Sequence, residues 1–115
     1  MFDFEKFEVY KKSKQFASEA SGLISKLKGI HPRMIDQLQR ASLSIPLNIA
    51  EWAGRYSKAD KRHFYVIARG SVFECVAIID IVNDVGLISV QQKNDLYKKL
   101  EELSKMISGL INSQR

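Results

Sequence analysis

The sequence predicts an all-α fold, an up-down-up-down antiparallel four-helix bundle, and three observations predict it. Apolar residues recur at intervals of three and four, strand signals are missing, and only two prolines and six glycines interrupt the 115 residues. The connections are too short for any other arrangement. Helices of about 20–25 residues are about 30–38 Å long, and loops of about five residues cannot return along that length, so successive helices run as antiparallel neighbours. Residues 1–115 are expected to form a single domain, with no repeat and no low-complexity segment.

The first helix is expected over 4–28, capped by Asp3, with Val9, Phe16, Ala20, Leu23 and Leu27 along one face. "KGIHPR" ends it, because Gly29 supplies a left-handed exit and Pro32 suits the first turn of the next helix. The second helix is placed at 33–53. Ser57 with Asp60 makes a capping box for the third, at 58–84. In "DVGLIS" Gly86 reads as a C-cap with Leu87 folding back, and Ser89 with Gln92 as a further capping box. The last helix, 89–111, carries Leu96, Leu100, Leu103, Ile107 and Leu110 at spacings of four and three.

Composition is that of a soluble globular protein, with no run near the roughly 20 apolar residues of a membrane span. The opening "MFDFEKFEVYKK" lacks the basic-then-apolar order of a secretory signal. The single cysteine, Cys75, lies in apolar "FECVAII" and reads as a buried structural thiol in a reducing cytoplasm. The net charge of +5 permits a polyanionic partner.

The two middle helices are too apolar for one buried face. From Ala41 to Ala53 the polar residues are Ser42, Ser44, Asn48 and Glu51; from Phe64 to Val82 they are Arg69, Ser71, Glu74 and Asp80. A bundle leaves roughly half of each helix facing outward, so a second copy is expected to cover this surface, making a homo-oligomer. Asn48 with Glu51 and Ser71 with Glu74 are i,i+3 pairs on consecutive helices, read as an interhelical polar network with Arg40 and Arg69 as further donors. A metal centre would want Glu-x-x-His, but Gly54 and Ala77 stand where the histidines belong, and His31 and His63 have no second imidazole at ligand spacing. A carboxylate-based hydrolase or metal enzyme on Glu51 and Glu74 is therefore only a distant alternative. No catalytic residue, metal ligand or cofactor is assigned. Pro46 removes one helical hydrogen bond, and the second helix is expected to kink there, with Ser42 and Ser44 rebonding freed carbonyls.

"QLQRASLSIPLNIAEWAGR" followed by "FYVIARGSVFECVAIIDI" resembles the four-helix-bundle family of 23S rRNA-intervening-sequence proteins, also labelled S23 ribosomal proteins. The signature falls on Ser44, Ile45, Pro46, Asn48, Ile49, Ala50 and Glu51, then Ala68, Gly70, Ser71 and Glu74. Trp52 stands where the family usually has glycine. The resemblance implies a cytoplasmic bacterial protein assembled as a ring-like homo-oligomer, a pentamer, without enzymatic activity. It also implies either an RNA-related role or, by likeness to an accessory subunit of a reverse transcriptase, a polymerase partner.

The densest basic stretch follows the second helix: Trp52, Arg55, Tyr56, Lys58, Lys61 and Arg62, with His63 beyond. Cations for phosphates and interleaved rings for unpaired bases are what RNA binding requires. The leading expectation is thus a non-enzymatic oligomer binding structured RNA or another nucleic acid through these residues. The alternative is an oligomeric adaptor for a protein partner. The plainer reading of the stretch is a solvated loop, with Trp52 and Tyr56 packing the bundle end. Lys11, Lys12 and Lys14 read as a solvated helix face.

Overall fold

The computed structural model describes residues 2–27, 29 and 31–113, and among them it holds four α-helices and no strand. These are α1 (Glu8–Ile24), α2 (Pro32–Ala53), α3 (Lys58–Asp84) and α4 (Val90–Ser113), preceded by a 3-10 turn at Asp3–Lys6. The caps explain most of the limits. Ser57 Oγ accepts from the Asp60 N–H at 3.0 Å to start α3. Ser89 and Gln92 exchange both bonds of a capping box at 2.8 and 3.0 Å before α4. At the end of α3, Gly86 takes φ +80°. Its N–H bonds the Asn83 carbonyl at 2.9 Å and that of Leu87 bonds Val82 at 3.2 Å, the paired bonds that close a helix through a left-handed glycine. Gly29 takes the same φ of +80°.

The first helix departs from expectation at both ends. Asp3 does not cap it: Phe7 is extended at φ −73°, ψ 131° and separates the 3-10 turn from α1. That break lets Phe4 pack edge-on against Tyr10 and brings Phe7 to Trp52. At the other end α1 stops at Ile24, and the expected terminus, Lys28, lies outside the described residues. Lys26 and Leu27 continue in tighter i→i−3 bonds to Leu23 and Ile24, and Leu27 still packs on the core. His31 starts α2, its Nδ1 accepting from the Arg33 N–H at 3.1 Å.

The helices form a four-helix bundle in which α1 and α3 each pack on α2 and α4. Residue numbers rise on one helix as they fall on its neighbour. Gln37, Ser44 and Trp52 of α2 meet Glu74, Ser71 and Tyr65 of α3. Asp80 and Val76 of α3 meet Lys93 and Tyr97 of α4, and Lys12 and Glu19 of α1 meet Glu102 and Lys99 of α4. Phe16, Leu38, Ile45, Ile49, Tyr65, Val72, Cys75, Ile79, Val82, Leu100, Leu103 and Ile107 are the large fully buried side chains of the core. No helix among the described residues is long and apolar enough to cross a membrane.

The helix α2 runs unbroken through Pro46, which is buried. The serine hydroxyls do not rebond the carbonyl that Pro46 leaves free at Ser42. Ser42 Oγ instead donates to the Gln39 carbonyl at 3.1 Å, and Ser44 faces α3. The excess of apolar residues on the middle helices is real surface. Leu43 and Leu47 on α2, and Val66, Ile67, Phe73 and Ile81 on α3, are exposed, Leu47 by 61% and Phe73 by 52%.

Candidate nucleic-acid interface at the turn between α2 and α3

The anticipated polar network exists in a smaller form. Ser71 Oγ donates to Ser44 Oγ at 2.8 Å, and Asn48 Nδ2 donates to the same hydroxyl at 2.9 Å and to the Ser44 carbonyl at 2.7 Å. Ser44 is the bridge, sitting where a small hydroxyl fits between α2 and α3. The carboxylates lie outside it. Glu51 is exposed and pairs with Arg55 at 3.0 Å, and Glu74 is exposed and bonds Gln37. A step of three residues falls about 60° short of a full helical turn, enough to carry both glutamates from the packed edge to water, where a carboxylate needs no buried donor. The expected donors are engaged elsewhere, Arg40 with Asp36 at 2.9 Å and Arg69 over the Phe73 ring at 5.5 Å. Glu51 and Glu74 therefore form no carboxylate pair, and among the described residues no three His, Cys, Asp or Glu side chains gather as a metal site.

Cys75 is buried, and burial, followed by the charge of Glu74, pushes its thiol up to about 12. It stays protonated at neutral pH, as a packing residue does.

The basic stretch divides into engaged and free members. Arg55 is held by Glu51 and lies 4.6 Å over the Phe64 ring. Lys61 lies 5.2 Å over Trp52. Trp52 itself is half-buried, stacked at 5.0 Å on Tyr65 and tilted at 5.2 Å against Phe7. Its ring thus packs the bundle end, as in the plainer of the two readings of Trp52. Tyr56 does the opposite of packing: it is fully exposed. Lys58 and Arg62 are exposed, one turn apart on α3, and among the described residues neither is shown with an ion-pair partner. Cations in the first turns of a helix sit at the positive end of its dipole and weaken it, so helix stability does not account for Lys58, Lys61 and Arg62 there. Only Asp60 opposes them in that first turn. The other basic group is spent on pairing and packing, Lys11 with Glu8, Lys12 with Glu102 and Lys14 over Tyr10.

Comparison with known proteins adds the following. The family model described as 23S rRNA-intervening sequence protein matches residues 5–109. A crystal structure of a protein of unknown function, from the S23 ribosomal protein family of Bacteroides thetaiotaomicron, superposes with a TM-score of 0.85 at 24% identity. The match covers 90% of this chain and 95% of that one. No curated protein matches.

Proposed function

We propose, for a chain that belongs to the family of 23S rRNA-intervening sequence proteins, a non-enzymatic homo-oligomer that binds structured RNA at the turn between α2 and α3. The observation that carries the reading is the pair of exposed cations Lys58 and Arg62, without an ion-pair partner among the described residues, near in sequence to the fully exposed ring of Tyr56. Cations on phosphates with a ring on an unpaired base is a mode that reads RNA by charge and shape. Arg55 and Lys61 hold the local surface and add charge to it.

Assembly supports the same reading. The up-down-up-down bundle presents two unlike apolar patches, a groove of about 500 Å³ between α1 and α2 bordered by Leu43 and Leu47, and the exposed face of α3 around Phe73. Unlike patches that meet head to tail close into rings where the rotation from copy to copy divides a full turn, and run into open filaments otherwise. A pentameric ring in the cytoplasm repeats the cationic turn in every copy, so weak contacts add by multivalency.

The test is retention of a structured rRNA fragment and of a matched DNA duplex against salt, for the wild type and for Lys58→Glu with Arg62→Glu. RNA affinity is expected to fall at least tenfold in the variant, and the slope of log K against log salt to shrink by about 2, one for each phosphate no longer neutralised. If the wild type holds no RNA at low salt the reading fails, and the apolar faces then favour an adaptor for a protein partner such as a polymerase.

A further inference from the structure

Within the turn between α2 and α3, Arg55 is held differently from Lys58 and Arg62. Its backbone N–H bonds the Trp52 carbonyl at 3.1 Å, which fixes where its side chain starts. Its guanidinium lies 4.6 Å over the Phe64 ring, and its Nη2 donates to Glu51 Oε2 at 3.0 Å. Phe64 is half-buried in the second turn of α3, and His63 stands edge-on to it at 5.4 Å. A ring thus backs the guanidinium and a carboxylate holds one edge, while 42% of the side chain stays open to water. Holding a long side chain at two points costs rotamer freedom, and an exposed ion pair returns little stability. The fixed position of Arg55 therefore calls for a reason beyond folding.

The geometry points to Arg55 as a fixed stacking plate for one unpaired RNA base, with Phe64 as its backing and Glu51 as its positioning residue. This rests on the RNA reading and adds to Tyr56 a second surface for a base. Guanidinium planes stack on bases as aromatic rings do. Glu51 decides which part of the RNA approaches. Arg55 still adds to the positive field of the turn, but the neighbouring carboxylate repels a phosphate that would sit directly on the guanidinium. The flat face of a base carries no net charge and meets no such repulsion. The base must be unpaired and unstacked, because a duplex covers both of its faces. A purine is favoured, since it offers the larger face. Lysine would not serve here: its ammonium is a compact point charge without a plane.

The probes are two RNA stem-loops, one with a loop of adenines and one with the same loop abasic, each titrated with the whole protein over a range of salt. The wild type is expected to prefer the adenine loop by about five- to hundredfold. Arg55→Lys keeps the charge and loses the plate. It should lower that preference by at least about threefold while the salt slope stays the same. Glu51→Ala frees the guanidinium, so the preference should fall while the slope of log K against log salt grows by about 1. Glu51→Gln still offers an oxygen acceptor and should restore the preference, which a purely electrostatic role for Glu51 would not. Phe64→Leu should match Arg55→Lys; if it does not fold, the Arg55 and Glu51 variants decide. Equal affinity for the two loops with a steep salt slope overturns the plate and leaves the cationic contact standing, as does an unchanged preference in Arg55→Lys. Failure of the wild type to bind either loop at low salt overturns both.

Discussion

Along the outside of α4 the exposed positions include Lys98, Glu101, Glu102 and Lys105, with Val90 at its first residue a lone exposed apolar side chain; along the outside of α2 and α3 they include Leu43, Leu47, Phe73 and Ile81. All three helices bury an equally apolar inner face, with Leu103 at 1% exposure on α4 and Ile45 at 0% on α2. The difference lies only on the outside. One helix is finished against water and two are not, and isolated exposed apolar residues are ordinary whereas contiguous ones mark a contact surface. The inner faces make the fold; in the proposed function the outer faces of α2 and α3 make the assembly.

This contrast yields distinct responses to truncation. Leu103→Ala should cost about 2–5 kcal/mol of stability at any protein concentration. Leu47→Ala should leave a dilute monomer within about 0.5 kcal/mol of wild type, yet lower the melting temperature increasingly as concentration rises, because association stabilises the folded state by mass action. Thermal melts of both variants over a hundredfold concentration range check this, and equal concentration dependence would erase the distinction.

The bridge between the two apolar helices comes next in size. Ser44→Ala removes the acceptor shared by Asn48 and Ser71, but each keeps a backbone carbonyl, that of Ser44 and that of Ile67, so it should cost about 0.5–1.5 kcal/mol in a denaturant titration. Ser71→Ala should cost less, since Asn48 keeps Ser44 satisfied.

The last effect is on pH and is confined to alkali. The Cys75 thiol is raised from about 9 to about 12, so the folded state favours its protonated form. That contribution is complete below about pH 9 and is lost as pH rises through 12. Denaturation midpoints should fall over this window, and fall less steeply in Cys75→Ala; identical slopes would remove Cys75 from the account.

The sequence and the structure agree where the information is local. The limits of α3 follow from Ser57 at one end and the Gly86 turn at the other, both written within a few residues. The start of α1 was not legible, because the contact of Phe7 with Trp52 joins residues far apart in the chain and no periodicity records it. Among the site residues, Lys58, Arg62 and Tyr56 lie on the exposed turn that their polarity suggests. Spacing alone misplaced Glu51 and Glu74, since a rotation of about 60° separates the packed edge of a helix from water. Tyr65 carries no distinguishing signal in the sequence. On a heptad face it counts as one more core ring, and only packing reveals that its hydroxyl has no partner among the described residues.

The central claim, that the outer faces of α2 and α3 hold copies together, is tested most directly by the mass of the particle in solution. Native mass spectrometry with light scattering should find one species near five times the 13.1 kDa chain for the wild type, and a folded 13.1 kDa monomer for Leu47→Glu with Phe73→Glu. A wild-type protein that stays at the mass of one chain across all concentrations would contradict it.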